Sequence, residues 1–326
     1  MKIAILGAGG WGTALGRLLV QAGQQVTIWG HDPVHLEEMQ HTGTNARYLP
    51  GVELPKDWKL EKDLPRAIYR AECIVVAVPS KAFREVTQQL ASFSGIVVNV
   101  TKGIEHDTGL TMCGILAETA PKARSAALSG PTLAPEVARN IPTACVAASQ
   151  DAEAAQAVQR LFHRPTFRVY SSSDLVGVEL GGALKNVIAI AAGMCDGLGF
   201  GDNSKAALIT RAIVEIRRLG VACGAQAETF SGLSGLGDLT LTCFSRVSRN
   251  RGLGERLARG EVLEDLLAKA VTVAEGVPTA RSAYQLARRF QVATPIIDEV
   301  FAMLYEGKNI VEAVRDLISR ESKAES

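Results

Sequence analysis

With 326 residues, the chain is long enough for two domains with separate hydrophobic cores. Its 35 basic and 34 acidic residues leave a net charge of +1, which gives no general attraction to nucleic acid or to an anionic membrane. No apolar run approaches the length of a membrane span; residues 187–195 come nearest. The chain opens on a strand pattern rather than a signal peptide, so we expect a cytoplasmic protein without membrane insertion.

Six cysteines are spread over the chain without a C-x-x-C pair or a histidine at ligand spacing. This spacing favours neither a zinc site nor a disulfide framework. We therefore expect no metal centre, and any phosphate binding has to come from local groups.

The first predicted elements, within residues 1–32, are a strand, a glycine turn, a helix and a second strand. The turn has the pattern G-x-G-x-x-G. In such a unit Gly7 permits the tight turn, Gly9 lets the backbone approach a pyrophosphate, and Gly12 lets helix and strand pack closely. The helix N-terminus then faces the anion. This stretch predicts a dinucleotide site.

The end of the second strand leaves the cofactor undecided between NAD and NADP. Asp32 stands at about the right distance to bind the ribose hydroxyls of NAD and to repel the extra phosphate of NADP. His31 occupies the preceding position and could face that phosphate, or it could be a plain loop residue. Both cofactors stay open.

Strand and helix patterns alternate through the first half of the chain. Strand patterns recur at 73–78, 96–100, 125–128, 143–146 and 166–170, with helical patterns at 82–90, 110–119 and 152–162. Such alternation predicts an α/β fold with a largely parallel, doubly wound sheet of the Rossmann type.

After residue 172 the pattern becomes helical throughout. Helical periods cover 175–195, 205–223, 253–259, 263–270, 279–290 and 296–304. We therefore expect a dinucleotide-binding Rossmann domain over 1–172 and an all-α, substrate-binding and catalytic domain over 173–326.

Ligands of open parallel sheets bind outside the carboxyl ends of the strands. Those ends carry the glycine turn, Pro79-Ser80, Thr101-Lys102-Gly103 and Ser129-Gly130-Pro131-Thr132. Lys102 is the only charged residue among them. It is a candidate to hold a phosphate or a polarised oxygen, unless it is a solvated loop lysine.

The first long helix of the second half carries glycines beside a lysine. Gly177, Gly181 and Lys185 fall on one helical face, and Gly182 lies next to Lys185. The glycines either admit another element or leave bare backbone for cofactor and substrate. A lysine on such a small, apolar face is easily desolvated, so Lys185 is a candidate general acid or base.

Two polar stretches follow this helix. Asp238 ends a glycine-rich turn and could cap the next helix, accept a hydrogen bond from substrate or hold Lys185. The stretch 246–252 holds three arginines with Ser248 and Asn250, just before a helix whose dipole disfavours positive charge. We interpret it as a local anion site with Arg249 at its centre.

The chain resembles the bacterial NAD(P)-dependent sn-glycerol-3-phosphate dehydrogenases over nearly its whole length. The motifs that carry the resemblance occur in order: residues 7–15, Thr101-Lys102-Gly103, 128–132, Gly181-Gly182-Ala183-Leu184-Lys185-Asn186, Gly235-Leu236-Gly237-Asp238 and Ser248-Arg249-Asn250. The resemblance implies reversible hydride transfer between a nicotinamide and C2 of dihydroxyacetone phosphate, which makes sn-glycerol 3-phosphate for membrane lipid synthesis.

The resemblance also implies roles for single residues. The family lysine that matches Lys185 exchanges the proton with the C2 oxygen. The positions that line the substrate match Lys102, Gly130, Thr132, Lys185, Asp238, Ser248, Arg249 and Asn250. The positions that contact the cofactor match Gly10, Trp11, His31, Lys102, Ala134, Arg249, Val273 and Glu275, beside the turn glycines Gly7, Gly9 and Gly12.

Two other functions compete with this interpretation. A β-hydroxyacid or 6-phosphogluconate-type dehydrogenase also joins a Rossmann domain to helices and uses a lysine, but the motifs at 235–238 and 248–250 argue against it. A dinucleotide-sensing protein without turnover would leave Lys185 beside an anion site without a purpose. A homodimer is common for such folds, although no segment identifies an interface.

Overall fold

The computed structural model describes residues 1–270 and 272–319. The strands of the N-terminal half are β1 (Lys2–Leu6), β2 (Gln25–Trp29), β3 (Thr44–Asn45), β4 (Leu49–Glu53), β5 (Lys59–Glu61), β6 (Cys73–Val76), β7 (Ile96–Asn99), β8 (Arg124–Ser129), β9 (Thr143–Ala148) and β10 (Phe167–Ser172). Eight of them form one sheet in the order β10-β9-β8-β7-β6-β1-β2-β5, while β3 and β4 pair separately. Every pair in the large sheet is parallel except β8 with β9.

Helices connect these strands and cover both faces of the sheet. They are α1 (Gly10–Gln21), α2 (Pro33–Thr42), α3 (Leu64–Ile68), α4 (Ser80–Gln88), α5 (Met112–Thr119), α6 (Ala134–Ala138) and α7 (Ala152–Phe162). Separate apolar clusters on the two faces pack against opposite sides of strands such as β1, whose Ile3 and Ala4 belong to different clusters. The predicted doubly wound α/β fold is confirmed.

The strand order places a ligand crevice at the glycine turn. The chain runs from β1 to β2 on one side and later returns to β6 on the other side of β1. Ligands of open α/β sheets bind where the order reverses in this way, outside the carboxyl ends of the strands. The turn that follows β1 at Gly7 lies at that point.

The C-terminal half is helical, as predicted. Its helices are α8 (Leu175–Gly197), α9 (Asp202–Ala222), α10 (Asp238–Phe244), α11 (Arg249–Ala258), α12 (Leu263–Ala268), α13 (Gly276–Arg289), α14 (Pro295–Tyr305) and α15 (Ile310–Ile318). Short 3-10 and π-helical turns at Ala227–Ser231 and Leu233–Gly237 precede α10. No strand follows Ser172 among the described residues. The division at residue 172 stays a prediction, and residues 320–326 lie outside the described part.

Helix α8 is the centre of the helical half, and most of its residues are buried. A Cβ atom at Gly193 or Gly254 would collide with the backbone of the other helix, so α8 and α11 cross in direct contact. One expectation needs correction: α8 is long and apolar enough to cross a membrane by length and composition. Within the protein, 89% of its most apolar 18-residue window is buried, as in a core helix.

Candidate active site

The glycine turn has the close approaches that its pattern predicts. Gly7 has φ +126°, and a Cβ atom there would lie 2.5 Å from the carbonyl oxygen of Ala77. A Cβ atom at Gly12 would collide with the Gly7 carbonyl, whereas one at Gly9 would meet nothing within 4 Å. Gly9 is also the N-cap of α1, and no side chain caps that helix. The bare, open N-terminus fits a pyrophosphate group.

Two of the residues matched to the cofactor border this turn. A Cβ atom at Gly10 would lie 2.6 Å from the Tyr48 carbonyl oxygen and 3.9 Å from Cβ of Ala134. Trp11 is half-buried and packs on the small cluster around Leu49. The β3-β4 hairpin, which the sequence patterns did not predict, therefore forms one wall beside the turn.

Asp32 already has two partners. Its carboxylate accepts the His35 backbone N–H at 3.2 Å, which caps α2, and it pairs with Arg47 at 3.2 Å. The hydrogen bond from His35, together with Arg47, lowers the pKa of Asp32. His31 is exposed beside it. The end of β2 thus offers acidic and basic groups together, which keeps both NAD and NADP open.

Three predicted site residues from different segments meet at one buried carboxylate. Asp238 at the start of α10 is 1% exposed. Its Oδ1 atom lies 2.9 Å from Lys185 Nζ, and its Oδ2 atom lies 2.5 Å from Lys102 Nζ. Lys185 comes from α8 and Lys102 from the loop after β7. Of the uses considered for Asp238, the structure shows the one in which it holds Lys185.

Burial and the neighbouring charges set the pKa values of Lys185 and Asp238. Burial lowers the pKa of Lys185 to about 8, against the attraction of Asp238, and the Lys102 ammonium adds to the lowering. Burial alone would raise the pKa of Asp238, but the two ammonium groups together lower it. Lys185 is therefore a group that can give up and regain a proton near neutral pH.

The sequence interpretation missed Thr242, which completes this cluster. Lys185 Nζ donates to Thr242 Oγ1 at 2.5 Å, and that hydroxyl in turn donates to the Asp238 carbonyl oxygen at 2.7 Å. Thr242 lies four residues after Asp238, on the same face of α10. That spacing was the available signal, but it required α10 to be recognised as a helix.

The glycines of α8 pack against protein. A Cβ atom at Gly177 would collide with Asp174, one at Gly181 would lie 2.7 Å from the Ser234 carbonyl oxygen, and one at Gly182 would lie 2.6 Å from Ser129 Oγ. The alternative in which these glycines leave bare backbone for ligands is wrong. Gly181 and Gly182 let the turn before α10 and the end of β8 approach the helix that carries Lys185.

The loop after β8 lies beside the same cluster. Lys102 Nζ donates to the Gly130 carbonyl oxygen at 3.1 Å, and Thr132 Oγ1 donates to that oxygen at 3.2 Å. Gly130 and Thr132 are thus within reach of Lys102, as a common substrate site requires.

The start of α11 combines packed and free groups. Ser248 caps the helix by accepting the Arg251 N–H at 3.3 Å. Asn250 donates to Asn186 Oδ1 and accepts the Gly276 N–H, both at 2.9 Å, which ties α11 to the residue after Lys185. Arg251 pairs with Asp196 at 2.5 Å. Arg249 is exposed and has no ion pair among the described residues, so its guanidinium is available to an anion.

Glu275 connects the helical half to the sheet. Its two carboxylate oxygens accept the backbone N–H of Ser80 at 3.0 Å and the Ser80 hydroxyl at 2.5 Å, at the N-terminus of α4. Val273 is half-buried two residues earlier. Sequence reasoning alone gave Glu275 no role, since it depends on a partner 195 residues away.

Known proteins are similar to this chain in sequence over nearly its whole length. The family model of the NAD-dependent glycerol-3-phosphate dehydrogenase N-terminus matches residues 2–155, and that of its C-terminus matches residues 174–315. A relative from Chlorobium phaeobacteroides, named glycerol-3-phosphate dehydrogenase [NAD(P)+], is 47% identical over 100% of this chain and 99% of its own. One of the same name from Geobacter metallireducens is 49% identical over 99% and 98%.

A solved structure gives the same result. The crystal structure of glycerol-3-phosphate dehydrogenase from Coxiella burnetii superposes with a TM-score of 0.94 at 38% identity, covering 98% of this chain and 99% of that one. The resemblance found in the sequence motifs is confirmed. The chain belongs to the NAD-dependent glycerol-3-phosphate dehydrogenase family.

Proposed function

We propose that this protein catalyses the reversible, NAD(P)H-dependent reduction of dihydroxyacetone phosphate to sn-glycerol 3-phosphate. The observation that carries the proposal is the cluster of Lys185, Lys102 and Asp238, where the helical half meets the carboxyl ends of the strands. The proposal is supported by a lysine with a lowered pKa in this cluster, and by Lys102 following β7 at the same edge of the sheet as the glycine turn. The family assignment supplies the substrate.

Lys185 is the proposed catalytic acid and base. In the reducing direction its ammonium stabilises the negative charge that develops on the C2 oxygen and donates the proton. Asp238 orients Lys185, and Lys102 adds positive charge beside it. When bound, the nicotinamide supplies the hydride to C2.

The remaining site residues bind and orient the cofactor and the substrate. On the sheet side we assign the cofactor to Gly7, Gly9, Gly10, Trp11, Gly12, His31, Lys102 and Ala134, and on the helical side to Arg249, Val273 and Glu275. The substrate groups are Lys102, Gly130, Thr132, Lys185, Asp238, Ser248, Arg249 and Asn250. In this assignment residues 1–172 hold the dinucleotide, and residues 173–326 supply the phosphate anchor and the proton.

The test is oxidation of the reduced cofactor, followed by its absorbance, with NADH and NADPH in parallel. Oxidation with dihydroxyacetone phosphate, and little with dihydroxyacetone, is the expected result. Turnover of a β-hydroxyacid or 6-phosphogluconate instead would favour the rival dehydrogenase. Cofactor binding without turnover of any of these substrates would indicate a dinucleotide sensor.

Arg249→Ala is expected to raise the KM for dihydroxyacetone phosphate by about 10-fold to 100-fold with a small change in kcat. A charged hydrogen bond to phosphate contributes about 1.5–3 kcal/mol of binding, and Arg249 has no ion pair among the described residues to lose. Steady-state kinetics on both ketones measures this effect. Arg211→Ala on α9, outside the stretch 246–252 and also exposed, is the matched control. An equal loss on dihydroxyacetone would contradict the phosphate contact.

The two reaction directions are expected to depend oppositely on pH. Reduction needs protonated Lys185, so its rate should be level below a pH of about 8 and fall roughly tenfold per pH unit above it. Oxidation of sn-glycerol 3-phosphate needs the neutral amine, so its rate should rise up to that pH and then level. The rate is measured against pH in both directions, and we call the pH at which each rate changes from level to sloping the pH limb. A limb near pH 10 in both directions would contradict the assignment of Lys185.

The cellular setting forms part of the same proposal. The product supplies glycerophospholipid synthesis, and we place the enzyme in the cytoplasm as a homodimer without membrane insertion. The burial of α8 supports the last point. Sedimentation of the purified chain without detergent tests both solubility and assembly.

A further inference from the structure

Besides Asp238 on α10, a second carboxylate is buried near the site. It belongs to Glu179 on α8, six residues before Lys185. Glu179 is 6% exposed, and its Oε1 atom accepts hydrogen bonds from Asn99 Nδ2 and from the Cys113 backbone N–H, both at 2.9 Å. Burial raises the pKa of its carboxyl group against the hydrogen bonds that it accepts. Its other oxygen is buried without a hydrogen-bond partner in the described structure. An apolar residue in its place would leave two buried N–H donors, on Asn99 and Cys113, without an acceptor.

Asn99 connects this carboxylate to the loop of Lys102. It ends β7, its Oδ1 atom accepts the Thr101 N–H at 2.8 Å, and its Nδ2 atom donates to the Thr101 carbonyl oxygen at 3.1 Å. A carboxylate can only accept, so Glu179 holds the NH₂ group of Asn99 towards α8 and leaves Oδ1 for Thr101. The orientation of this amide therefore fixes the backbone just before Lys102.

We propose that Glu179 is a positioning residue: through Asn99 and Thr101 it keeps Lys102 on Asp238. The helix that carries Lys185 would thereby also place the second lysine of the cluster. This inference rests on the proposed function, in which both lysines serve one substrate. It makes Glu179 part of the active site without contact to a ligand.

The consequence can be measured at Lys185. The charged or titratable groups that face its ammonium are Asp238 and Cys243 from α10 and Lys102 from the loop after β7. If Lys102 leaves the cluster, Lys185 loses a repelling charge and no longer shares Asp238. Both changes favour the ammonium, so the pKa of Lys185 has to rise.

The experiment follows acetylation of Lys185 by acetic anhydride against pH in the unliganded full-length protein, quantified by mass spectrometry. The wild-type midpoint is expected at a pH of about 8. Glu179→Leu and Asn99→Ala should each raise it by about one pH unit, and the double variant should raise it no further. Glu179→Gln keeps an acceptor oxygen for Asn99, so it should stay close to wild type.

Glu215→Leu is the matched control. Glu215 is 3% exposed and accepts the backbone N–H groups of Ile296 and Ile297, at the start of α14. Its loss should lower the melting temperature and leave the Lys185 midpoint unchanged. Unshifted midpoints in Glu179→Leu and Asn99→Ala would overturn the inference, as would an equal shift in Glu215→Leu. If Glu179→Leu does not fold, Asn99→Ala tests the same link. The labelling needs no turnover, so its outcome is separate from the assay on dihydroxyacetone phosphate.

Discussion

Lys185→Ala is expected to lower the turnover number for dihydroxyacetone phosphate reduction by about 10³-fold. The variant loses both the proton donor and the charge nearest to the developing alkoxide. Cofactor binding, followed by nicotinamide fluorescence, should survive, since the glycine turn lies on the other half of the chain. Added primary amines should restore part of the rate, because the alanine leaves room for a small ammonium ion beside Asp238.

Lys205→Met is the control for Lys185→Ala, because it distinguishes a loss of catalysis from a loss of packing. Lys205 is as buried as Lys185 and pairs with Asp196 at 2.5 Å. Its replacement should lower the melting temperature with less than a roughly tenfold effect on turnover. Near-normal turnover in Lys185→Ala would remove Lys185 from its proposed role.

Asp238→Asn is expected to have the second largest effect. It leaves the ammonium groups of Lys102 and Lys185 close together without their shared counter-charge, so the pKa of Lys185 should fall well below 8. At neutral pH most of the proton donor is then neutral, and kcat/KM for reduction should drop by about 10²-fold. The pH limb of reduction should move to lower pH, so that acidification recovers part of the loss.

Breaking such a buried ion cluster also costs about 3 kcal/mol or more of folding stability. Asp196→Asn supplies the control, since Asp196 likewise pairs with two cations, Lys205 and Arg251, both at 2.5 Å. It should lower the melting temperature comparably and leave the pH limb in place. A limb that stays at the wild-type position in Asp238→Asn would show that Asp238 does not control the proton on Lys185.

The predictions for Lys185, Asp238 and Glu179 depend on the same physical effect, the burial of charged groups. A single buried carboxylate on α10 holds two lysines from two halves of the chain. A second carboxylate, Glu179 on the helix that carries Lys185, accepts a hydrogen bond from Asn99 at the end of β7. Lysine with an ordinary pKa would be a poor proton donor near neutral pH. Burial and a like charge bring its pKa close to the working range.

Local patterns carried much of the fold. Strand patterns bounded by turns predicted β1, β2 and β6 to β10. Central strands such as β6 are buried on both faces and have continuous apolar sequence, whereas the edge strand β10 alternates buried and exposed residues. The sequence patterns did not predict the short hairpin of β3 and β4 or the edge strand β5, because two to five residues with few apolar side chains show no detectable period. Helix α10 was not predicted for a similar reason, since it spans only seven residues after a glycine-rich turn.

The sequence by itself determined the two halves, the dinucleotide turn and the family, because backbone requirements at Gly7 and Gly12 and short motifs leave direct traces in residue order. It also nominated Lys102, Lys185 and Asp238, each as a separate candidate. Only the tertiary structure decided that these three share one ion cluster, that Thr242 accepts from Lys185 and Glu179 from Asn99, and that the α8 glycines pack against protein. The hydrogen bonds Lys185–Thr242, Asn99–Glu179 and Lys102–Asp238 join residues 57 to 136 positions apart. Burial and charge at such distances depend on packing, which no local period encodes.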